Sequence, residues 1–217
     1  MSEYRLYCFA QSGNSYKPAL LMHLAGADWE PAFVDYFHDA SRTPEYRAIN
    51  EMGEAPVLEY DGKRFTQSGV ILDYLSRRFR GFAPKSETER LEVLRWTLWD
   101  NHKFTSYIAT WRFMMAFLPA EKRDAGVIGF LEGRARNSLK ILDAHLSERP
   151  WIAAPHLTTA DLSCVGYLYF DDEFDLRLDD YPNVRRWRDA IAAQPGWKHP
   201  YELMPGNPAD RAAKEDA

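Results

Sequence analysis

The sequence predicts a small α/β domain followed by an all-α domain, joined near residues 80–86. Three observations predict it. Strand-like patterns and one hairpin turn, interleaved with helical patterns, fall within residues 1–80. The character of the chain changes after Gly81-Phe82-Ala83-Pro84. Beyond that point no strand pattern appears, and apolar residues recur at helical spacing between prolines.

The elements follow in order. Arg5-Leu6-Tyr7-Cys8-Phe9 is short, aromatic and apolar, the pattern of a strand. Gln11-Ser12-Gly13-Asn14-Ser15 is a turn cluster. Pro18, Leu21, Met22, Leu24 and Ala25 then recur at helical spacing, and Gly26 ends the helix. Pro18 is expected in the first turn, where proline is tolerated. Ala32-Phe33-Val34-Asp35-Tyr36 reads as a second strand, and Thr43-Pro44-Glu45-Tyr46-Arg47 as a short helix start. Val57-Leu58-Glu59-Tyr60 and Lys63-Arg64-Phe65 flank Asp61-Gly62, which suits a two-residue hairpin turn. Gln67-Ser68-Gly69 opens an amphipathic helix carrying Val70, Ile71, Tyr74, Leu75 and Phe79. The first domain therefore reads β-α-β-α-β-β-α. In the second, Ser86-Glu87-Thr88-Glu89 is a capping box before Leu91, Leu94 and Leu98. Helical stretches cover residues 86–117, 121–148, 158–174 and 182–193, and the polar residues 206–217 form a tail expected to fray.

Composition narrows the function. Hydrophobic residues at 46% and charged residues at 27% give a globular balance rather than a disordered one. A net charge of -5 argues against a general nucleic-acid binder, which needs a basic excess. No apolar run approaches the ~20 residues of a membrane span. The start, MSEYRLYCFA, has no signal-type stretch, so a cytoplasmic location is expected. Cys8 and Cys164 give neither a disulfide framework nor a zinc site, and no metal is expected.

Three segments carry possible chemistry. At the start of the first helix the main-chain donors are unpaired and partly positive. Ser12 or Asn14 can cap that helix, and an anion placed there is also stabilised. In Glu54-Ala55-Pro56-Val57 a proline precedes a strand. A cis bond would turn the peptide groups of Ala55 toward a ligand chain, whereas a trans bond is an ordinary strand start; the residues leave both open. Gln67-Ser68 either caps the next helix or holds a carboxylate. Cys8 lies in the strand, and Ser12-x-x-Ser15 occupies the place of a redox Cys-x-x-Cys, so Cys8 reads as a buried structural thiol.

The order of these signals fits a thioredoxin-like domain. Along nearly its whole length the chain resembles the cytosolic glutathione transferases, in particular serine-type bacterial members of theta, zeta and nu character. The specific stretches are Asn50-Glu51-Met52-Gly53-Glu54-Ala55-Pro56-Val57-Leu58, Gln67-Ser68-Gly69-Val70-Ile71-Leu72-Asp73-Tyr74-Leu75, and the Ser/Thr-x-x-Asp box Thr158-Thr159-Ala160-Asp161. The box is assigned to folding, since Thr158 and Asp161 cap a helix reciprocally.

The resemblance implies roles. Ser12 would face the glutathione sulfur, with Asn14 as a second donor. Ala55, ahead of Pro56, would pair through its backbone with the cysteinyl part. Gln67 and Ser68 would hold the γ-glutamyl end, and His38 with Arg42 the glycyl carboxylate. A small hydrophobic electrophile would lie between the domains, against aromatics among Trp96, Trp99, His102, Tyr107, Trp111, Phe113 and Met114; Trp99, His102 and Trp111 are the chosen candidates. Asp100, His102 and Lys103 are polar members able to line the cleft or a dimer interface. Glutathione as co-substrate and a homodimer are also implied. The chain departs from the family pattern at Glu51 (commonly Pro), Ala55 (commonly Val) and Gln67 (commonly Glu or Asp), the last removing a charge near the ligand's ammonium. A glutathione-dependent disulfide reductase or peroxidase using the same site, and a non-catalytic binding module, remain open.

Overall fold

The structure is a computed structural model describing residues 2–206, so the predicted tail, beyond Gly206, lies outside the described residues. Strand β1 (Tyr4–Cys8) runs parallel to β2 (Trp29–Phe33) and antiparallel to β3 (Val57–Tyr60), which pairs antiparallel with β4 (Lys63–Thr66). The strand order is β2-β1-β3-β4. Helices α1 (Gly13–Leu24), α2 (Pro44–Arg47) and α3 (Ser68–Arg78) complete the thioredoxin-like β-α-β-α-β-β-α order. At the hairpin Asp61 has φ 49° and Gly62 φ 68°, the paired left-handed conformations of a type I′ turn.

Two local expectations shift. Strand β2 begins three residues before the apolar run that marks it, and includes Pro31. It is an edge strand, where the missing N–H costs no ladder bond. The run itself ends in a 3-10 turn at Tyr36–His38 that stacks Tyr36 on Phe9 at 4.8 Å. Pro18 lies not in the first turn of α1 but in the second, because the helix starts at Gly13. Its missing N–H leaves the Asn14 carbonyl without a helical partner.

The second half is helical: α4 (Glu87–Trp99), α5 (Thr105–Ala116), α6 (Ala125–Leu146), α7 (Thr159–Val165), α8 (Pro182–Ala192) and α9 (Pro200–Leu203). The predicted stretch 86–117 is broken by a π turn, Asp100–Phe104. A π turn inserts a residue and so rotates every later side chain about the axis. The predicted stretch 158–174 is helical only to Val165. Beyond it Tyr167, Tyr169 and Phe170 are all buried against different neighbours: Tyr169 against Tyr16 and Trp197, Phe170 under Arg112. One helical stripe cannot serve those directions, and the chain turns instead.

The capping box stands at the centre of this half. The fully buried Asp161 carboxylate accepts from Thr158 N (2.8 Å), Thr158 Oγ1 (3.0 Å), Ile152 N (2.8 Å) and Trp187 Nε1 (2.9 Å). Burial raises its pKa, against the pull of those four donors. Leu6, Leu20 and Ile71 of the first half share one continuous core with Trp96, Phe104, Leu162 and Trp187 of the second. That shared core fixes the two halves at the cleft between them.

Candidate active site

The site is a cavity of about 540 Å³ between the sheet domain and α5. From the first half it is lined by Phe9, Gln11, Ser12, Asn14, Glu54, Ala55 and Gln67, among others. Ser12 is the N-cap of α1, with extended dihedrals (φ -90°, ψ 106°), and its Oγ accepts from Ser15 N at 3.1 Å. Capping uses a lone pair and leaves the hydroxyl proton available, so the cap and donor readings are compatible. Ser12 N donates to Phe9 O at 3.1 Å and Ser15 N to the cap, and the Gly13 and Asn14 N–H groups lie at the same end of the helix.

Two contacts fix the loop before Ser12. Ala10 N donates to Pro205 O at 2.7 Å, which lays the C-terminal segment across it. Arg112 Nη1 donates to Gln11 O at 2.6 Å. Arg112 is 2% exposed and pairs with Glu173 through Nε (2.7 Å) and Nη2 (2.5 Å), while Tyr201 also donates to Glu173, at 2.7 Å. The Arg112 guanidinium lies 3.7 Å from the Phe170 ring centroid. A second buried pair lies behind the cavity wall. Lys17 Nζ donates to Asp100 Oδ2 (2.7 Å) and Thr105 Oγ1 (3.0 Å). Thr105 and Ser163 each donate to Asp100, at 2.7 and 2.6 Å. This network joins α1, the π turn, α5 and α7.

The ligand-holding candidates come together only in part. Ala55–Pro56 is cis, so the open choice at that bond is resolved; Ala55 sits on the cavity wall two residues before β3. Gln67 has φ 67° and its Nε2 donates to Glu54 Oε2 at 3.1 Å. Ser68 Oγ approaches Asn14 Oδ1 at 3.5 Å. His38 does not line the cavity: it is exposed, with Nδ1 2.7 Å from Asp35 Oδ1, because the 3-10 turn presents Tyr36 and Phe37 inward. Arg42 is likewise exposed and paired with Asp39.

Trp99, His102 and Trp111 fall outside the cavity lining as well. Trp111 is buried edge-on against Phe174, Trp99 stacks on Phe104, and His102 faces solvent. The wall is built instead by Asn101, Thr105, Ala109 and Phe113, four residues apart, with Ser106, Thr110 and Phe117 beside them. For Trp111 the π turn is the reason, since it shifts the phase of α5; Trp99, ahead of the turn, packs on Trp96 and Phe104. Cys8 lies buried in β1 and its thiol is pushed up to about 12 by burial, so it is protonated and unreactive at neutral pH.

Comparison with known proteins bears on this geometry. Residues 2–77 match the family model for the glutathione S-transferase N-terminal domain, and residues 106–195 the one for its C-terminal domain. The chain belongs to the glutathione S-transferase family. Among solved structures it is similar to a possible glutathione S-transferase from Rhodopseudomonas palustris, at 30% identity and TM-score 0.82, covering 92% of this chain and 98% of that one. It is similar also to a glutathione S-transferase from Pseudomonas fluorescens, at 28% identity and TM-score 0.86, covering 92% and 100%. A maleylacetoacetate isomerase from Pseudomonas aeruginosa is 26% identical over 217 residues, 96% of this chain and 99% of that protein.

Residue types alone do not single out Glu54, Arg112 and Tyr167, which line the cavity, or Lys17, buried behind its wall. Lys17 and Arg112 carry a usable signal, each being a cation within an apolar or aromatic helical run. Buried cations need partners, so each announces a distant carboxylate. Tyr167 gives no such signal. It reaches the cavity only because the chain after α7 folds back over the start of α1.

Proposed function

We propose that this transferase binds glutathione along the sheet side of the cavity and stabilises its thiolate with the Ser12 hydroxyl at the N-terminus of α1. The observation that carries the reading is Ser12 itself, a helix N-cap on the wall of an interdomain cavity with its proton still to donate. A free thiol has pKa about 8.5, and lowering it two units takes about 2.7 kcal/mol. A hydrogen bond to a charged group supplies roughly 1.5–3 kcal/mol. The helix end adds about 0.3–1 kcal/mol, or up to ~2 in a partly buried geometry. The two together suffice. Isothermal calorimetry with glutathione tests binding, and absence of a heat signal would favour the non-catalytic module.

Ala55 stands on the cavity wall two residues ahead of β3, outside the ladder, and its peptide is the proposed partner of the cysteinyl portion. Gln67 and Ser68 hold the γ-glutamyl end, and Glu54, 3.1 Å from the Gln67 amide, returns the negative charge that Gln67 lacks. Glu54→Gln is therefore expected to raise the Kd for glutathione roughly fivefold to tenfold, the scale of one partly exposed charge-assisted contact. An unchanged Kd would remove Glu54 from ammonium recognition.

The helical wall carries Asn101, Thr105, Ser106 and Thr110 beside Phe113 and Phe117. Such a wall suits an unsaturated electrophile bearing hydrogen-bonding groups better than a purely apolar one. That favours a second reading at the same site. Reversible thiolate addition to a conjugated double bond permits rotation, and elimination then returns the isomer and free glutathione, the chemistry that the similarity to an isomerase suggests. Turnover on a chlorodinitrobenzene against turnover on a cis-unsaturated diketo acid separates transfer from isomerisation.

A homodimer is part of the proposal. Leu91, Leu94 and Leu98 form a stripe on α4 that is 51%, 46% and 61% exposed in the single chain. The inner face of that helix is carried by Trp96 instead. Leu94→Glu is expected to halve the sedimenting mass without loss of helical circular dichroism; a wild-type monomer would refute the stripe as an interface.

A further inference from the structure

Tyr167 stands out among groups outside the predicted site. It is 8% exposed, yet it lines the cavity opposite Ser12 and Asn14. Its ring lies directly on the start of α1: a Cβ placed on Gly13 would come within 2.5 Å of Tyr167 Cδ2 and 2.6 Å of Gly166 O. Only glycine allows that approach. Its hydroxyl lies near the Ser12 side chain and the Asn14 main-chain N–H. Burial raises the phenol pKa above its ordinary value. The phenol is therefore a neutral O–H donor at neutral pH.

The proton inventory then has one solution that serves an anionic sulfur. A serine oxygen has two lone pairs and one proton. One lone pair of Ser12 Oγ is occupied by Ser15 N–H. We infer that Tyr167 is a positioning residue which, while accepting from Asn14 N–H, donates its own proton to the second Ser12 lone pair, leaving the Ser12 proton no use except donation to the glutathione thiolate. With both lone pairs filled, Ser12 cannot turn its proton back onto the protein. Donation into Ser12 also polarises its O–H and strengthens the bond to sulfur. No covalent or redox step is involved. The inference rests on the Ser12 reading above and extends it to a residue of the helical half.

The test is a cycle of Tyr167→Phe, Ser12→Ala and the double variant, each as the full chain. The readouts are the pKa of the bound glutathione thiol, by its ultraviolet thiolate absorbance, and kcat against KM. Tyr167→Phe keeps the ring on Gly13 and removes only the hydroxyl. We expect the bound-thiol pKa to rise by about half to one unit and kcat at neutral pH to fall roughly 1.5-fold to threefold, with KM for glutathione unchanged. In the Ser12→Ala background the same change is expected to do nothing further. Equal losses in both backgrounds would mean that Tyr167 acts through packing, and would overturn the inference. So would an unshifted thiol pKa in Tyr167→Phe when Ser12→Ala does shift it, an outcome that leaves the Ser12 reading standing. If Ser12→Ala itself leaves the thiol pKa unshifted, the Ser12 reading falls first and the inference with it.

Discussion

Asp100→Asn is expected to destabilise the protein by about 3–5 kcal/mol, the cost of leaving one member of a buried ion pair uncompensated. The pair partner is Lys17, and both side chains are fully buried. The substitution leaves an ammonium in the core facing a neutral amide, beside Thr105 and Ser163 hydroxyls that have lost their charged acceptor. Against a total stability of about 5–15 kcal/mol this is a large fraction. It is measured by equilibrium urea unfolding at fixed protomer concentration, since association contributes to stability. Removing both charges with Lys17→Met and Asp100→Asn is expected to recover most of the loss, because the penalty belongs to the unpaired charge rather than to the missing pair. A double variant as unstable as Asp100→Asn alone would assign the loss to the Thr105 and Ser163 contacts instead.

The second large effect is on chemistry. Ser12→Ala removes the one side-chain donor that the helix cap aims into the cavity, and is expected to raise the bound-thiol pKa by about one to two units. From a wild-type thiol pKa of about 6.5, the thiolate fraction at pH 7, and with it kcat, would fall roughly threefold to twenty-five-fold. The sign of the pH dependence follows. In the wild type, turnover holds as pH falls toward the depressed thiol pKa. In Ser12→Ala it declines from a higher pH and recovers in alkaline buffer, where the thiol ionises unaided. The cap itself contributes about 1 kcal/mol to stability, so the variant remains folded. Activity lost at every pH alike would point to damage to the loop that Arg112 and Pro205 hold, rather than to loss of a donor.

The parts of the fold legible in sequence are those specified locally. Asp61-Gly62 writes its own hairpin, Ser12 and Thr158 write helix starts, and period-2 and helical patterns place the strands and most helices. The sheet side of the cavity has local signals for the same reason: Ser12, Ala55 and Gln67 line it, while Pro56 and Ser68 stand next to them outside the lining, and all five lie at element boundaries with their own turn or cap chemistry. The helical side was not. The π turn at Asp100–Phe104 shifts the phase of α5, so Trp111 faces away while Thr105, Ala109 and Phe113 face in; Trp99 precedes the turn and packs on Trp96 and Phe104, and His102 within it faces solvent. Asp100, at the start of that turn, is bonded to the buried Lys17, 83 positions away. Arg112 reaching Gln11 and Tyr167 lying on Gly13 are likewise contacts between distant segments. His38 looked suitable by residue type, but a single 3-10 turn directs it outward.

Everything proposed for this site rests on a glutathione thiol ionising against Ser12 at the start of α1. The direct measurement is the pH titration of thiolate absorbance for glutathione bound at saturation to the wild type and to Ser12→Ala. The wild type should titrate about two units below free glutathione, and Ser12→Ala close to the free value. Identical titrations for the two proteins would contradict the central claim.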